Sequence, residues 1–470
     1  MVPARAPCRA PVARRLLAPG LVALSLVAST ANGADCPAQA FRSMRYEEDY
    51  ASFYDPACRA GVLDDIKYLG LGDGGSSYFS WGGEFRERFE YLSARDFGKA
   101  SDDDDGYLLQ RVMLHANLRL GRSVRAFGEL QSGLQLDRDV PVRSDEDQLD
   151  LHQAFLDVGS GGTESLTLRA GRQELAFGSA RLVSVRDRTN LRRTFDGARL
   201  IGQLGGWQMN LFALTPVLEE DGVFDNTRAG GQWFWGSYSA GALAAGLGLD
   251  LYYFGLREPD SPFNQGTARE LRHSFGARLW GRAEAFDYDL EAVYQWGLFG
   301  DARIRAYGAF SHTGYTLHSL PAEPRVSLRA NAMSGDADPN DADLETFNPL
   351  FPRGAYFGEA RLLAAQNLLD LHPALDLSLG ESVLLVFDWD VFWRHRAGDG
   401  LYRSSTEPMI ANTEMSKRYI GHQAAATLQW QLTRHASLTG AYVHFFASRF
   451  LRESGGNDVD YATAWLALRL

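Results

Sequence analysis

From residue 78 to the last residue, segments of about ten residues alternate between apolar and polar side chains. In residues 274–284, for example, Phe275, Ala277 and Leu279 share one face, whereas Arg278 and Arg282 share the other. Successive side chains of a β-strand point to opposite faces of the sheet. This period of two therefore predicts β-strands with one apolar and one polar face.

The alternation alone fits a soluble β-sandwich or a membrane-spanning barrel. Short and long connections alternate between the segments, and the last strand reaches Leu470 with Ala462, Leu466 and Leu468 on one face. Both features favour a barrel that closes on its first strand. After the N-terminus no apolar run reaches the roughly 20 residues of a membrane helix, so a closed barrel is the spanning fold that remains.

We therefore predict an all-β fold for residues 76–470. It is a transmembrane antiparallel up-and-down β-barrel of about 18 strands around a water-filled lumen, with short periplasmic turns and long extracellular loops. Short turns are predicted near residues 121–123, 159–162, 205–206, 286–287 and 380–382. Long loops are predicted near residues 93–106, 137–148, 177–195, 216–231, 257–270, 334–366, 397–417 and 449–457. The strands between residues 297 and 333 are the least distinct.

The first 33 residues have the pattern of a signal peptide for export. Four arginines precede an apolar stretch at residues 16–27, and small residues at 31–33 predict cleavage before Ala34. An anchor helix is the alternative, but the apolar stretch is short for one. Residues 34–75 show no clear strand and are interpreted as an N-terminal periplasmic segment, a plug or a cap. The predicted location is the outer membrane of a Gram-negative bacterium.

Two cysteines remain after removal of the signal peptide, Cys36 and Cys58. In an exported chain a disulfide between them is the natural expectation. Two free thiols are the alternative.

Arginine supplies 44 of the 47 basic residues. Its planar guanidinium pairs with carboxylates in two parallel hydrogen bonds, although a GC-rich genome would give the same bias. The residues predicted to line the lumen are Glu84, Arg86, Arg88, Glu90, Arg111, Arg119, Arg125, Glu129, Arg169, Arg199, Arg278, Arg282, Glu291 and Gln295. For any single residue, bracing of the wall is the favoured role, and for the whole set a cargo role is favoured.

A second group lies in or beside residues 168–200. These residues are predicted either to hold an inward-folded loop that narrows the pore or to brace a loop: Arg172, Gln173, Arg181, Arg192, Arg193 and Asp196.

Several chemistries are not supported. The sequence contains neither a G-x-S-x-G nor an H-E-x-x-H motif, so no enzyme is predicted. The acidic run of Asp336, Asp338, Asp341 and Asp343 misses the EF-hand spacing and is interpreted as a solvated loop, with a calcium site as the alternative. No cofactor or metal is predicted. Loss of the four signal-peptide arginines changes the net charge from -12 to -16, which disfavours a nucleic-acid partner.

Several motifs resemble those of the alginate export family of outer-membrane barrels. GGEFRERFEY at residues 82–91 resembles the first strand of the family. The strongest match is residues 168–200, with GRQ, then FG followed by ARL, and RTFDGARL. GARLWGR, DYDLEAVYQWG, SGDADPNDAD, FNPLFPRG and the HF pair at residues 444–445 extend the resemblance over nearly the whole mature chain.

The resemblance implies an eighteen-stranded monomeric barrel with an arginine-rich, anion-selective lumen that exports alginate, a polyuronate. We therefore predict a channel for acidic polysaccharide or related anions. The implied partners are outer-membrane lipid, the anionic cargo and periplasmic export components. Two alternatives remain open: an uptake or general diffusion porin for small anionic or aromatic nutrients, and, ranked lower, a barrel enzyme or a structural surface protein.

Overall fold

A computed structural model describes residue 36 and residues 40–59, 61–72, 75–99, 104–162, 164–403, 406–411 and 416–470. Eighteen long strands dominate it and are numbered in chain order. They are β1 Tyr78–Leu92, β2 Asp105–Leu120, β3 Val124–Leu136, β4 Asp147–Gly159, β5 Ser165–Gln173, β6 Phe195–Leu204, β7 Trp207–Leu218, β8 Trp233–Ala244, β9 Leu247–Phe263, β10 Gly266–Ala283, β11 Phe286–Phe299, β12 Ala302–Thr316, β13 Arg325–Met333, β14 Leu368–Leu379, β15 Val383–Arg394, β16 Tyr419–Thr433, β17 Ala436–Ala447 and β18 Val459–Arg469.

The eighteen strands form one closed sheet. Each strand pairs antiparallel with the strands before and after it in the chain. The last strand, β18, pairs with β1, so that Glu84 lies opposite Arg469 and Leu92 opposite Tyr461. Closure leaves no long strand with an unpaired edge. The predicted up-and-down barrel of 18 strands is confirmed.

The two ends of the barrel differ in their connections. At the turn end the strands are joined by residues 121–123, 160–164, 205–206, 245–246, 284–285, 317–324, 380–382 and 434–435. At the loop end they are joined by residues 93–104, 137–146, 174–194, 219–232, 264–265, 300–301, 334–367, 395–418 and 448–458. The start of β1 and the end of β18 lie at the turn end.

Two predicted connections are wrong. Residues 257–270 are not a loop, because β9 and β10 remain paired as far as Phe263 and Gly266. Ser261 Oγ donates to the Glu270 carboxylate across the two strands at 2.7 Å, so polar side chains that indicated a loop belong to a long hairpin. The turn predicted at residues 286–287 lies two residues too late, since both residues already pair with β10.

The wall is apolar on its outer face and polar on its inner face, which is the reverse of a soluble protein. Outward-facing Leu211 and Phe275 are 60% and 54% exposed, whereas inward-facing Arg88 and Glu90 are fully buried. An apolar outer belt with polar residues inside is the arrangement that a lipid bilayer requires. Among the described residues, no helix is long and apolar enough to cross a membrane.

The remaining elements are short. The α-helices are Val62–Asp65 and Arg449–Glu453, the 3-10 helices are Arg45–Glu47, Ala51–Tyr54, Pro56–Cys58, Asp96–Gly98 and Arg143–Asp145, and the additional strands are Leu69–Gly70, Thr227–Arg228, Asp343–Leu344, Leu401–Tyr402 and Pro408–Ile410. Leu69–Gly70 pairs with the start of β1, a strand that the sequence did not indicate. Cys36 and Cys58 form a disulfide with their Cα atoms 5.4 Å apart. The predicted signal peptide, residues 1–33, lies outside the described residues.

Two loops fold into the lumen and carry apolar side chains with them. Phe177 of the 174–194 loop stacks on Tyr238 of β8, with 4.5 Å between ring centroids. Phe351 of the 334–367 loop lies 4.9 Å from Phe234 and 5.1 Å from Phe195. The prediction of one continuous wet interior is therefore wrong in part, because aromatic side chains from the wall and the two loops pack into an apolar cluster.

Candidate functional site in the barrel lumen

Two cavities remain beside the apolar cluster, and arginines line both. The turn-side cavity, which shares lining residues with the turn at 380–382, has a volume of about 590 Å³. Its charged lining consists of Arg42, Arg86, Arg111, Arg188, Arg192, Arg469, Glu84, Asp187 and Glu381. Two of the predicted pore-lining arginines, Arg86 and Arg111, thus face open space.

The loop-side cavity is more strongly cationic. It has a volume of about 450 Å³ and lies between the 174–194 loop, the 334–367 loop and the loops at the mouth. Its lining contains a single acidic residue, Asp145. The arginines that line it are Arg95, Arg138, Arg181, Arg186, Arg193, Arg353, Arg361 and Arg403.

The 174–194 loop separates the two cavities. Asp187, Arg188 and Arg192 line the turn side, whereas Thr189 and Arg193 line the loop side. The Asn190 side chain is fully buried and donates to the backbone oxygens of neighbouring chain segments. This loop is therefore the constriction of the pore in this structure.

Arginines of β1 hold the loop in place through its backbone oxygens. Arg86 donates to Asp187 O at 2.9 Å and to Thr189 O at 2.8 Å, and Arg88 donates to Arg188 O at 2.7 Å. A guanidinium presents several donors in one plane, so one side chain can bind two successive carbonyls. The bracing role applies to both residues: Arg86 binds the loop, and Arg88 binds both the loop and the side chains of Thr463 and Tyr461 on β18.

The Asp187 carboxylate is the electrostatic centre of the constriction. Burial alone would raise its pKa, but Arg111 and Arg192 each approach its Oδ1 to 2.9 Å and hold the pKa well below its usual range. Arg111 also pairs with Glu84. The constriction is thus a network of charges in which buried Glu84 and partly exposed Asp187 each contact a guanidinium.

The 334–367 loop is attached to the wall in a similar way. Arg361 donates from one nitrogen to both oxygens of Glu90, at 2.9 and 2.7 Å, and Glu90 also binds Arg88 at 2.8 Å and Tyr107 OH at 2.7 Å. Arg329 of β13 donates to Tyr356 O at 2.7 Å. Glu90 therefore connects the loop to β1 and β2: its ion pair with Arg88 is fully buried, and in its ion pair with Arg361 the arginine side chain is 16% exposed.

Three arginines of the loop-side cavity are not neutralised. Within the described part of the chain, no carboxylate forms an ion pair with Arg95, Arg193 or Arg353. Burial, with a contribution from nearby Arg186, lowers the pKa of Arg193 to about 9. The shift means that the charged form lacks compensation, so an anion that entered this cavity would be bound by unpaired guanidiniums.

The N-terminal segment, residues 40–59 and 61–68, lies inside the turn end of the lumen. Arg45 donates to Gly83 O at 3.0 Å and to Leu470 O at 2.5 Å, where β1 meets β18. The Tyr46 ring packs against Phe155, with the Arg169 guanidinium 4.3 Å from its centroid. The segment occupies the part of the lumen where an open pore would be filled with water.

Three predicted lining arginines contact this segment. Arg119 donates to Glu48 O at 3.2 Å, Arg125 donates to Tyr46 O, and Arg169 forms a bidentate pair with Asp157 at 2.7 and 2.9 Å. They face inward, as the alternation predicts, but the N-terminal segment covers them.

Buried Lys67 makes the docking of this segment sensitive to pH. Its ammonium has no hydrogen-bond partner, and burial together with Arg45 lowers the pKa of Lys67 from 10.5 to about 7. The folded state therefore binds fewer protons than the free segment between about pH 7 and pH 10.5, so docking should strengthen as the pH rises through this window. Hydrogen exchange of residues 40–59, corrected for the intrinsic rate, measures it. Lys67→Met should show the high-pH protection already at pH 7, and equal protection of the wild type at pH 7 and pH 9 would contradict the assignment.

Of the other predicted lining residues, Arg199 and Arg278 pair within the wall, and Glu291 pairs with Tyr252 of the wall and with Arg181 of the 174–194 loop. Arg199 donates to Asn210 at 2.7 and 2.9 Å, and Arg278 bridges Asp250 and Asp289, each at 2.7 Å. Glu291 accepts from Arg181 at 2.6 Å and Tyr252 at 2.7 Å. These contacts agree with the predicted inward orientation.

The last three predicted lining residues differ in exposure. Glu129 accepts from Gln153 at 2.6 Å, and Gln295 accepts from Arg272 at 2.9 Å. Arg282 is exposed near the turn end.

Part of the predicted constriction group is not in the loop. Arg172 and Asp196 pair across β5 and β6 at 2.9 Å, and exposed Arg228 joins them at 3.0 Å. They alternate with inward-facing Arg169 and Arg199, so they lie on the outer side of the wall. Gln173 is buried within the wall and donates to backbone oxygens.

The interpretation of the acidic run as a solvated loop is wrong for Asp336. Asp336 is 1% exposed and accepts a hydrogen bond from Gln265 at 2.5 Å, so its carboxylate is not solvated. Asp343 pairs with Arg303 at 2.9 Å. Burial and nearby Asp399 raise the pKa of Asp336 to about 7.

Sequence reasoning missed six cationic residues of the loop-side cavity, all of which come from loops: Arg95, Arg138, Arg186, Arg353, Arg361 and Arg403. Of these, Arg353 stands in the FNPLFPRG motif at residues 347–354. The presence of that motif in a long loop was the signal that could have identified it. Arg186 stands in the strongest match, residues 168–200, whereas Arg95, Arg138, Arg361 and Arg403 stand outside the quoted motifs.

Comparisons with known proteins agree with this geometry. The solved structure of OpdO from Pseudomonas aeruginosa has a TM-score of 0.58 at 14% identity, covering 83% of this chain and 97% of that one. OccAB4 from Acinetobacter baumannii gives 0.58 at 10% identity, covering 83% and 98%. A BenF-like porin from Pseudomonas fluorescens Pf-5 gives 0.58 at 8% identity, also covering 83% and 98%.

These structures share the barrel fold with this chain. A comparison with curated proteins found no match. The sequence profile described as Alginate export matches residues 77–465, nearly the whole barrel. The chain therefore belongs to the alginate export family.

Proposed function

We propose that this outer-membrane channel passes an acidic polysaccharide or a related anion through the two arginine-lined cavities. The observation that carries the proposal is the loop-side cavity, where eight arginines face a single acidic residue. A polyuronate has one carboxylate per sugar, and guanidiniums are well suited to bind carboxylates. The turn end faces the periplasm in this proposal, because outer-membrane barrels have short periplasmic turns.

Passage requires that bound groups also leave. For arginines with carboxylate partners, such as Arg361 with Glu90, the positive charge is already partly balanced within the protein. Arg95, Arg193 and Arg353 remain available for cargo. A pore that mixes paired and unpaired guanidiniums can attract an anion without holding it permanently.

In this structure the 174–194 loop and the N-terminal segment close the path. A polymer chain therefore passes only after both have moved, and the backbone hydrogen bonds from Arg86, Arg88 and Arg45 are the contacts that must break. Export components in the periplasm are the proposed agents, because the N-terminal segment is accessible from that side.

A second candidate, uptake of small organic anions, is favoured by the size of the cavities. Volumes of about 590 and 450 Å³ suit one small molecule each. A carboxylated nutrient could move from one cavity to the other with a smaller displacement of the 174–194 loop than a polymer needs.

Single-channel recording in planar bilayers separates the two candidates. Oligomeric polyuronate added on the periplasmic side should interrupt the current if the polymer is the cargo, and a neutral polysaccharide of equal length should not. If benzoate or a small dicarboxylate blocks the current while polyuronate leaves it unchanged, uptake is the function. If neither anion changes the current, the proposed anion site is wrong.

The unpaired arginines should determine the block. Replacement of both Arg193 and Arg353 by Gln removes two uncompensated charges from the loop-side cavity, and the concentration of anion needed for half block should rise severalfold. Arg172→Gln is the matched control, since Arg172 lies on the outer side of the wall and its loss should leave the block unchanged. An equal change in both variants would contradict the assignment.

A further inference from the structure

A group of buried metal-binding side chains lies where the 174–194 loop leaves the wall. His115 on β2, Glu129 on β3 and His152 on β4 face the lumen on neighbouring strands, and Glu174 is the first residue of the loop. Their exposed fractions are 6%, 1%, 5% and 1%. Glu129, His152 and Glu174 thus meet away from water, and His115 lies beside Glu129.

The ligand atoms are close enough to share one cation. One ligand atom each of Glu129, His152 and Glu174 lies within 4.8 Å of the others. His152 Nε2 is 2.9 Å from Glu174 Oε1, and His115 Nδ1 is 3.9 Å from Glu129 Oε1. Zinc–ligand bonds of roughly 2.0–2.2 Å would require shifts of these side chains, with His152 and Glu174 moving slightly apart and His115 approaching the other three.

Two atoms of this group have no partner. Glu129 Oε1 and His115 Nδ1 are buried and form no hydrogen bond. In the described part of the chain, no arginine or lysine forms an ion pair with Glu129, whereas Glu84, Glu90 and Glu291 each have one. An unpaired carboxylate in this surrounding is costly, and a bound cation would remove the cost.

The contacts around the group resemble the support that metal ligands have in proteins. Arg192 NH2 donates to Glu174 Oε2 at 3.0 Å, and Gln153 Nε2 donates to Glu129 Oε2 at 2.6 Å. Arg192 also donates to Glu174 Oε1 through Nε, so Glu174 is oriented through both oxygens, whereas Glu129 is held through Oε2 alone. Hydrogen bonds of this kind fix ligands for a metal.

We propose that His115, Glu129, His152 and Glu174 bind one divalent transition-metal ion, with Zn²⁺ as the best match. Imidazole nitrogen and carboxylate oxygen are both zinc ligands, and the two carboxylates balance the charge of the ion. The ion ties the start of the 174–194 loop to three strands of the wall. It thereby fixes the loop that forms the constriction, whichever anion the channel carries.

The direct test is Zn²⁺ binding by the full chain, expressed without a histidine tag, stripped with a chelator and kept in detergent. Titration calorimetry and elemental analysis should give about one Zn²⁺ per chain. Glu129→Gln and His152→Asn should each lower the affinity by more than about tenfold, as the loss of a ligand requires. His312→Asn, a lumen histidine outside the group, is the matched control and should bind as the wild type does.

Folding of each variant is checked by the heat-dependent gel migration of the intact barrel. X-ray absorption at the zinc edge of the wild-type protein gives a second readout that needs no variant, and it should show mixed nitrogen and oxygen ligands with an imidazole signature. Absence of stoichiometric Zn²⁺, unchanged binding in Glu129→Gln and His152→Asn, or an absorption spectrum without imidazole would each overturn the proposal.

Discussion

Deletion of residues 36–66 should raise the single-channel conductance severalfold. The segment fills the turn end of the lumen with Tyr46 packed against Phe155, and Arg45 bound to Leu470 O. Because the two obstructions lie in series along the path, removal of one lowers the total resistance even while the 174–194 loop remains. The ring of eighteen strands should remain intact, since β1 and β18 pair from Glu84 to Leu92 without this segment. Planar-bilayer recording of the deleted and full-length proteins measures the effect.

The double variant Cys36→Ser, Cys58→Ser is the matched control for the deletion. It removes the disulfide but keeps Arg45, Tyr46 and their contacts with the wall. Its conductance should stay close to that of the wild type, with more frequent openings if the disulfide helps to retain the segment. Equal conductance of the deleted and full-length proteins would show that the segment does not occupy the pore in a membrane.

Glu90→Ala should be the most destabilising single substitution in the lumen. Glu90 is fully buried and compensates both Arg88 and Arg361. Its removal leaves two buried guanidiniums without their carboxylate, and breaking such a pair costs about 3–5 kcal/mol. The free energy of unfolding in urea, measured on protein folded into lipid vesicles, should fall by that amount. The 334–367 loop should also detach, because Arg361 loses its attachment to the wall.

Glu87→Ala on the same strand is the control for Glu90→Ala. Glu87 faces outward, is only partly buried, and accepts a single hydrogen bond from Gln110 at 3.1 Å. Its substitution should change the unfolding free energy by less than about 1 kcal/mol. If the two variants are equally stable, the buried network around Glu90 contributes little to the barrel.

The fold can be predicted from the sequence because lipid outside the barrel requires a strict alternation of apolar and polar side chains along each strand. Leu114 and Phe275 must face hydrocarbon and Arg111 and Arg278 must not, so the period of two fixes strand, face and register together. The long β9–β10 hairpin was predicted as a loop because its ends extend beyond the apolar belt. Beyond the belt, outward positions need not be apolar. Ser261 and Glu270 are polar residues of the kind that is common in loops, although they lie in paired strands and form a hydrogen bond with each other.

The site was less accessible to sequence reasoning. The alternation gives the direction of Arg86 and Arg88, but it cannot show that they bind backbone oxygens of residues 187–189, which are about 100 residues away. Backbone acceptors carry no sequence signal. The unpaired Arg95 and Arg353 belong to loops, where no period relates position to direction.

The ion selectivity of the wild-type channel tests the central claim most directly. In a bilayer with a KCl gradient, the reversal potential reports whether chloride or potassium is the more permeant ion. A lumen whose open spaces are bordered by uncompensated guanidiniums should give a potential of the sign that belongs to chloride, and it should shrink as the salt concentration rises. A potential of the opposite sign, or none, would contradict an arginine-controlled path through the barrel.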